Sequence, residues 1–392
     1  MRILHTSDWH IGKRLGRHDR SAEMREVLDE VCGVADDRAV DLVLVSGDVF
    51  DRPIPPVESL ALGIEILVRL AGRRPVVAVA GNHDSPDLFE ALAPLLRDQG
   101  AGVHLVGRVK RPDEGGLLGP EALGVDAVVA CFPFLREGKV IDFMRDAGEW
   151  YGEYATRVAR VTAAYNEALV ARTGDSLVPV LMGHFLVGGV KVDRAAPRGE
   201  RELHMGTAYT ATAQAIPAGP QYVAMGHIHA PQPVPGAPVP AEYAGSLVPL
   251  DFGEAGERKR VVVVDVEPGR LAKIESVPVR GGRPLERVSG TWDEIEACAP
   301  ELADRFVDLT VHVGGADADL ARRAAETFPY LVNVRAVRPD ARPAAARPPD
   351  APRPTDEELY AEFVVRTTGE DPPPELVSLF REVLEEAADA PD

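Results

Sequence analysis

The first two-thirds of the chain repeat one pattern, in which a short apolar run stops abruptly at a cluster of glycine, aspartate, histidine or asparagine. The apolar runs cover residues 2–6, 41–46, 75–80, 177–182 and 221–225. Runs of this length between turn signals predict buried β-strands. The fold must therefore accommodate five strands that each end in polar, chemically active side chains.

Helical periodicity separates the first three runs. Residues 22–35 and 57–71 place apolar side chains along one side, and Ser85-Pro86 is a typical start for a helix that reaches about Arg97. Strands that alternate with helices predict parallel pairing. The polar clusters then lie at the carboxyl ends of the strands, where open α/β sheets bind their ligands.

The composition and the apolar pattern change in the later part of the chain, and four regions are therefore predicted. They are a first domain over residues 1–266, a smaller α+β unit over 270–338, a Pro-rich linker over 339–355 and a helical tail over 356–389. The stretch from Arg338 to Pro354 holds six prolines in 17 residues, which is typical of a semi-extended connection. In the tail, apolar residues at 376, 379, 380, 383 and 384 follow helical spacing.

Charge and composition exclude several classes of protein. With 43 Lys and Arg against 62 Asp and Glu, the formal net charge is −19, which argues against a protein that coats nucleic acid or anionic membranes by charge alone. No run approaches the roughly 18 apolar residues of a membrane span, and the N-terminus has no signal-peptide pattern. Three distant cysteines predict no disulfide framework. We therefore expect a cytoplasmic protein with no membrane partner.

Seven polar side chains at the strand ends form a mixed nitrogen and oxygen donor set. They are Asp8, His10, Asp48, Asn82, His184, His227 and His229. Without a thiolate, this set suits Mn, Fe or Zn in a catalytic role better than a structural zinc ion. Seven ligands are too many for one ion, so we expect two divalent ions about 3.5–4 Å apart. Asp48, at the end of the second strand, is the candidate for the bridging carboxylate.

Such a two-metal site predicts hydrolysis of a phosphoester, because the ions offset phosphate charge and hold the attacking and leaving oxygens. His83, next to Asn82, is then expected to be the general acid, with Asp84 orienting its ring. Taken singly, each of these positions has an ordinary structural explanation, such as a helix cap or a core histidine. Taken together they are hard to explain without a metal site, and the alternation in His227-Ile228-His229 puts both imidazoles on one face.

Together these motifs resemble the signature of the calcineurin-type metallophosphoesterases. The longer sequence words around them resemble the family of bacterial SbcD nuclease subunits. The matching words are HTSDWHIGKRL at 5–15, SGDVFDRP at 46–53, GNHDSP at 81–86, GHFLVGG at 183–189, GHIHAPQ at 226–232 and YAGSLVPLDFGE at 243–254. They cover about residues 1–260. The later regions are similar to the family in layout rather than in words.

The resemblance implies an α/β fold, a four-layer α-β-β-α sandwich with a smaller α+β capping domain and a C-terminal helical tail. It assigns Asp8, His10, Asp48 and His229 to one metal, and Asp48, Asn82, His184 and His227 to the other. His83 and Asp84 would be the acid and its orienter. The implied ions are two Mn²⁺. The loop from 191 to 202 and the Pro-rich stretch from 231 to 240 depart from the family pattern.

The implied function is a Mn-dependent DNA nuclease subunit, an exonuclease on double-strand ends and an endonuclease on hairpins or single strands, in DNA repair and recombination. The capping domain would recognise DNA. The tail would bind an SbcC-type coiled-coil ATPase, with two copies of each subunit in a heterotetramer associated with the nucleoid.

Two other functions stay open at this point. One is a phosphatase or cyclic-nucleotide phosphodiesterase on small substrates, since the metal site alone does not choose a substrate. The other is a metal-free protein-binding scaffold, although no ligand position has been lost. Residues 350–392 hold 13 acidic and 3 basic side chains, so the acidic balance is concentrated in the tail. We expect the subunit alone to bind DNA weakly and its partner to supply most of the affinity.

Overall fold

The structure is a computed structural model, and it divides the 392-residue chain into two compact units. It describes residues 1–98, 102–136, 154–190, 210–315, 317–338, 355–368 and 371–389. The first unit is Met1–Glu286 with Asp304–Phe306, and the second is Arg287–Ala303 with Val307–Asp392. Except for Thr355, the expected linker at 339–355 lies outside the described residues, as does the loop at 191–202. Across the described part of the chain, no helix is both long and apolar enough to cross a membrane.

The first unit contains the five predicted strands and the predicted helices between them. Its strands are β1 (Arg2–Thr6), β2 (Arg14–Leu15), β3 (His18–Asp19), β4 (Leu42–Val45), β5 (Val76–Val79), β6 (Val103–Val106), β7 (Leu117–Leu118), β8 (Ala127–Phe132), β9 (Val178–His184), β10 (Leu186–Val187), β11 (Thr210–Ala211), β12 (Tyr222–Gly226), β13 (Gln232–Pro233), β14 (Ala241–Tyr243), β15 (Arg260–Asp265) and β16 (Lys273–Pro278). Its helices are α1 (Ser21–Asp37), α2 (Val57–Ala71), α3 (Pro86–Asp98), α4 (Pro120–Leu123) and α5 (Tyr154–Thr173).

The five strands that end in polar clusters divide between two six-stranded sheets. The first sheet has the order β16-β15-β1-β4-β5-β6, in which β1, β4, β5 and β6 are parallel. The second has the order β13-β14-β12-β9-β8-β7, in which β14, β12, β9 and β8 are parallel. Thr6 lies opposite Val45, and Gly226 lies opposite His184. Within each sheet, the carboxyl ends of the cluster-bearing strands therefore align.

Three apolar clusters hold these layers together. One joins the outer face of the first sheet to α1, α2 and α3, and another joins the second sheet to α5. Between the sheets lies a third cluster, in which Ile3, Leu44 and Val77 of the first sheet pack with Val180 and Met182 of the second. The layers are helices, sheet, sheet and helix. This confirms the expected α-β-β-α sandwich, which the alternating strands and helices stabilise by burying both faces of each sheet.

The first unit extends further along the chain than expected. Residues 273–278 form β16, which pairs antiparallel with β15 in the first sheet. The unit therefore continues to Glu286, whereas the sequence placed a boundary between 266 and 270. Most residues of β16 are exposed, so the strand lacks the apolar pattern that would have revealed it.

The second unit contains a three-stranded sheet with the order β17-β18-β19. Its elements are β17 (Leu285–Gly290), α6 (Trp292–Ala297), α7 (Ala299–Leu302), β18 (Phe306–His312), α8 (Leu320–Thr327), β19 (Leu331–Val337), α9 (Asp356–Thr368) and α10 (Pro374–Asp389). Strands β18 and β19 are parallel and α8 connects them, as the strand, helix and strand pattern predicts. A small core that includes Ile295, Leu309 and Phe328 lies within the unit.

The C-terminal helices form a pair. The rings of Tyr360 and Phe380 stack with their centroids 4.0 Å apart, and Arg381 forms an ion pair with Glu357. Large apolar side chains remain on the surface of both helices, since Phe363 is 52% exposed and Leu379 is 56% exposed.

Candidate metal centre

The polar clusters of the two sheets come together at the carboxyl ends of their strands. Ligand atoms of Asp8, His10 and His229 lie within 4.8 Å of one another, as do those of Asp8, Asp48 and His184. Asp8 and Asp48 follow strands of the first sheet, whereas His184 ends a strand of the second. The structure thus gathers predicted ligands from both sheets at one place.

The backbone is unusual at several of the predicted ligands. Among the described residues, positive φ angles at non-glycine positions occur at Asp8 (51°), His10 (47°), Asp48 (52°), His227 (90°) and Ala39 (47°). Such conformations cost of order 1–3 kcal/mol each and persist only where the surroundings enforce them. Four of the five belong to predicted ligands, so the fold tolerates backbone strain at the site.

Glycine is required beside the carboxylate of Asp48. A Cβ atom on Gly81 would collide with the carboxyl group and backbone nitrogen of Asp48. This explains why the polar cluster after β5 begins with glycine: the chain passes too close to Asp48 for any side chain.

Asp48 lies between two groups of predicted ligands, one that includes His10 and one that includes His184. Its side chain is buried, with Oδ2 3.5 Å from Nε2 of His10 and 3.4 Å from Nε2 of His184. Its Oδ1 accepts a hydrogen bond of 2.8 Å from the backbone nitrogen of His83. Burial raises the pKa of Asp48, but His184 and His10 more than reverse this and hold it well below its usual range. A charged carboxylate at this place can serve both groups.

The surroundings of His10 fit a metal ligand. The residue is fully buried, and neither of its ring nitrogens makes a hydrogen bond to any described residue. Buried polar atoms without a partner are rare, because each costs the desolvation of that group. A cation held with Asp8 and His229 would supply a partner for one of these two nitrogens, so the residues present fit a divalent ion. The other contact of the ring is electrostatic, since Oδ1 of Asp51 lies 3.5 Å from Nδ1.

The second group converges on the side-chain oxygen of Asn82. This oxygen lies 2.9 Å from Nε2 of His184 and 2.8 Å from Nδ1 of His227. Nδ1 of His184 donates to the carbonyl oxygen of Ser46 at 2.8 Å, which leaves Nε2 to face the site. Burial lowers the pKa of His184, but Asp48 outweighs this and raises it to about 9, so a bound cation must displace the Nε2 proton and leave a neutral ring with its lone pair there. Lone pairs of Asn82, His184 and Asp48 then face one another, an arrangement that a cation stabilises.

His83 lies beside the predicted ligands, and its ring contacts the backbone of Asp51 rather than the side chain of Asp84. Its Nδ1 lies 2.9 Å from the backbone oxygen of Asp51, and its ring is only partly buried. The Asp84 carboxyl group instead accepts hydrogen bonds from the backbone nitrogens of Val49, Phe50 and Gly81. The expectation that Asp84 orients the His83 ring therefore differs from the structure. Asp84 holds together the two loops that carry Asp48 and His83.

Sequence reasoning missed three residues that contact the site. Asp51 holds His83 through its backbone, and Arg136 donates to the carbonyl oxygens of Asn82 and Asp84. Glu254 lies 2.9 Å from Nδ1 of His229. Asp51 and Glu254 both stand in the motif words, SGDVFDRP and YAGSLVPLDFGE, so a signal was present for them. Arg136 stands outside those words and acts on backbone oxygens, which leave no trace in a sequence.

Comparisons with known proteins show which family the chain belongs to. The family model of calcineurin-like phosphoesterases matches residues 1–231. The SbcD subunit of the SbcCD nuclease from Bacillus subtilis is 31% identical over 98% of this chain and 97% of its own length. The chain belongs to the SbcD branch of the calcineurin-like phosphoesterases. Proteins of the same description match from Rhodobacter capsulatus, at 31% identity over 92% of this chain and 94% of the relative, and from Escherichia coli K12, at 31% over 78% and 74%.

Membership in this branch separates the functions that the sequence left open. The matches favour a metal-dependent nuclease subunit, and they do not favour a small-substrate phosphatase or a metal-free scaffold. The SbcD resemblance is therefore confirmed over nearly the whole chain, including the later regions that matched only in layout. The buried carboxylates and imidazoles also support divalent ions as cofactors.

Proposed function

We propose that the chain hydrolyses phosphodiester bonds of DNA with two Mn²⁺ ions, as the nuclease subunit of an assembly with an SbcC-type ATPase. The observation that carries the proposal is the position of Asp48, whose Oδ2 lies 3.5 Å and 3.4 Å from histidines of two separate groups. A carboxylate shared in this way is what a two-metal phosphoesterase requires.

Each group has its own residues. Asp8, His10 and His229 would hold one ion, and Asn82, His184 and His227 would hold the other, with Asp48 contributing to both. The ions would offset the charge of the phosphate and lower the pKa of a water molecule, so that hydroxide is available to attack the phosphorus near neutral pH. Ser7 Oγ donates to Asp8 at 2.5 Å, and this hydrogen bond orients the carboxylate toward the site.

His83 delivers the proton to the leaving oxygen. Its Nδ1 donates to the backbone oxygen of Asp51, since a carbonyl oxygen can only accept. This contact fixes the ring plane and leaves Nε2 as the atom that gives up its proton. General acid catalysis of this kind contributes about 10²- to 10⁴-fold to the rate.

The family supports the substrates and the partner that we propose. The relatives are described as the SbcD part of the SbcCD nuclease, and DNA ends and hairpins are the substrates we propose for this chain. The exposed apolar side chains of α9 and α10 suit a surface that docks on a coiled-coil ATPase. We place two copies of each subunit in a heterotetramer, working on DNA in the cytoplasm at the nucleoid.

The test compares substrates with the purified full-length chain. With Mn²⁺, we expect cleavage of a duplex DNA end and of a DNA hairpin, abolished by EDTA and in the Asp48→Ala variant. Co-expression with the ATPase should make the cleavage dependent on ATP and strengthen DNA binding. Turnover of a small chromogenic phosphodiester without any cleavage of DNA would contradict the proposal and favour the small-substrate enzyme.

A further inference from the structure

Glu254 is a buried carboxylate 25 residues beyond His229 in the chain, and the two side chains are in contact. The Glu254 side chain is 6% exposed, and its Oε1 lies 2.9 Å from Nδ1 of His229. It ends a short 3₁₀ helix, Phe252–Glu254, whose start is capped by the side chain of Asp251. The backbone thus places the carboxylate rigidly behind the imidazole.

The other oxygen of this carboxylate is fully occupied. Oε2 of Glu254 accepts hydrogen bonds from Nζ of Lys259 at 2.6 Å, from Ser246 Oγ at 3.1 Å and from the backbone nitrogen of Leu250 at 3.1 Å. With three donors on Oε2, Oε1 is the oxygen that faces His229. The carboxylate is therefore fixed in orientation and not only in position.

Lys259 holds His229 from a second direction. Its side chain is 4% exposed, and Nζ donates to the backbone oxygen of His229 at 3.1 Å as well as to Glu254 and Glu257. One buried ammonium group therefore fixes both the main chain of His229 and the carboxylate behind its ring.

These contacts determine which ring nitrogen of His229 carries the proton. An ionised carboxylate can only accept a hydrogen bond, so Nδ1 of His229 carries the proton. In the neutral ring the lone pair is then at Nε2, which can bind a cation together with Asp8 and His10. A carboxylate behind a histidine also makes the imidazole a stronger ligand.

A purely structural role accounts poorly for such a cluster. Removing a Glu and a Lys from water costs several kcal/mol per charge, and a well-packed apolar pair of similar volume is often as stable. The cluster instead places its charges where they act on one ring, that of His229. Positioning of this ring is a function that an apolar pair could not perform.

We propose that Glu254, held in place by Lys259, is a positioning residue that fixes the tautomer and orientation of His229 and thereby sets the affinity of the site for one of its two metal ions. This inference rests on the proposed two-metal function. It predicts an effect on the ion held by Asp8, His10 and His229, with the ion held by Asn82, His184 and His227 left unchanged.

The experiment titrates the full-length chain with Mn²⁺ and follows the free ion by electron paramagnetic resonance, without substrate or turnover. In Glu254→Gln, the single amide oxygen cannot accept from both His229 and Lys259. We expect one Mn²⁺ site to weaken by about 10- to 100-fold and the other to keep its affinity. Glu254→Asp keeps the charge and should recover part of the loss.

A matched control is available on strand β14, which carries Glu242. Glu242 is also buried and pairs with Arg260 at 2.6 Å, and this pairing holds no predicted metal ligand. Glu242→Gln should leave both affinities unchanged. Thermal unfolding in EDTA shows which variants are folded. If Glu254→Gln is unfolded, Glu254→Asp takes its place in the test and must weaken the affinity of one Mn²⁺ site by a smaller factor while leaving the other site unchanged.

The outcomes separate the two proposals. If the unmodified chain binds fewer than two Mn²⁺ ions, the two-metal function itself is wrong. If it binds two and folded Glu254→Gln binds both within about twofold of the same affinity, the positioning role is wrong; that threshold is small beside the effect of losing such a partner. Equal weakening of both sites, or equal loss in Glu242→Gln, would also overturn the role.

Discussion

The side-chain oxygen of Asn82 lies 2.9 Å from Nε2 of His184, a residue 102 positions later in the chain. Asn82 follows β5 of the first sheet, and His184 ends β9 of the second. The contact therefore spans the interface between the sheets at the site. Replacing Asn82 therefore tests whether predicted ligands from both sheets bind the same ion.

Replacing Asn82 with alanine should remove one ion and spare the other. The variant loses the oxygen that faces both His184 and His227, so we expect one tightly bound Mn²⁺ per chain in place of two. Metal content after gel filtration measures this directly. Asn82→Asp, which restores an oxygen, should regain the second ion. Two ions retained in Asn82→Ala would show that Asn82 is not a ligand.

Replacing His83 with alanine should leave the metal content unchanged and slow turnover. Loss of a general acid lowers kcat by about 10²- to 10⁴-fold while the ions remain bound. Steady-state kinetics on a DNA end, combined with metal analysis of the same sample, checks both parts. His83 stands within 4.8 Å of ligand atoms of His10 and Asp48, so an ion missing from this variant would make it a ligand instead.

Replacing Asp84 with alanine should destabilise the fold. Three backbone N–H groups, of Val49, Phe50 and Gly81, would lose their acceptor in a buried place. Each unsatisfied group costs about 1–3 kcal/mol, so we expect the free energy of unfolding to fall by about 3 kcal/mol or more. Urea denaturation in EDTA measures this without the ions. A variant of unchanged stability and reduced turnover would favour the ring-orienting role that the sequence suggested.

Replacing Gly81 with alanine should disturb both ions together. The added Cβ collides with the Asp48 carboxylate, which serves both groups. We expect the affinity of both Mn²⁺ sites to fall. Gly33 is the matched control, because a Cβ there meets nothing within 4 Å and the position lies in α1. Gly33→Ala should bind both ions normally and gain about 0.5–1 kcal/mol of stability. Normal metal binding in Gly81→Ala would mean that Asp48 can move without loss.

Deleting residues 355–392 should separate catalysis from assembly. The two helices of the tail lie beyond both sheets in the chain, so Mn²⁺-dependent cleavage of single-stranded DNA should continue. Co-purification with the ATPase should be lost, because the exposed apolar surface of α9 and α10 is removed. Pull-down of the co-expressed pair measures this. A complex that survives the deletion would place the docking surface elsewhere.

The sequence predicted most of the site because each predicted ligand lies at the end of a strand or within four residues of it. The apolar runs located the strand ends, and the fold brought those ends together, so Asp8, Asp48 and His184 could be grouped without coordinates. What local patterns did not contain was the division of the strands into two sheets. That followed from the family resemblance, because strand pairing depends on partners far away in the chain.

Other features left no signal in the sequence. Strand β16 is an exposed edge strand, so the boundary near 270 was placed too early. The partner of His83 is a backbone oxygen, which every residue has, and only the fold selects that of Asp51. The contacts of Asp84 could not be predicted for a similar reason, since two of the groups that donate to it are backbone nitrogens more than 30 positions away.

The division of the predicted ligands between two sheets has a consequence for how the first unit would unfold with metal bound. Asp8, Asp48 and Asn82 follow strands of one sheet, and His184 and His227 belong to the ends of strands in the other. An ion bound by both sets acts as a cross-link, because neither sheet can open locally without releasing it. Metal loading then couples the opening of the two sheets, and their slowest-exchanging backbone amides should exchange as one cooperative unit.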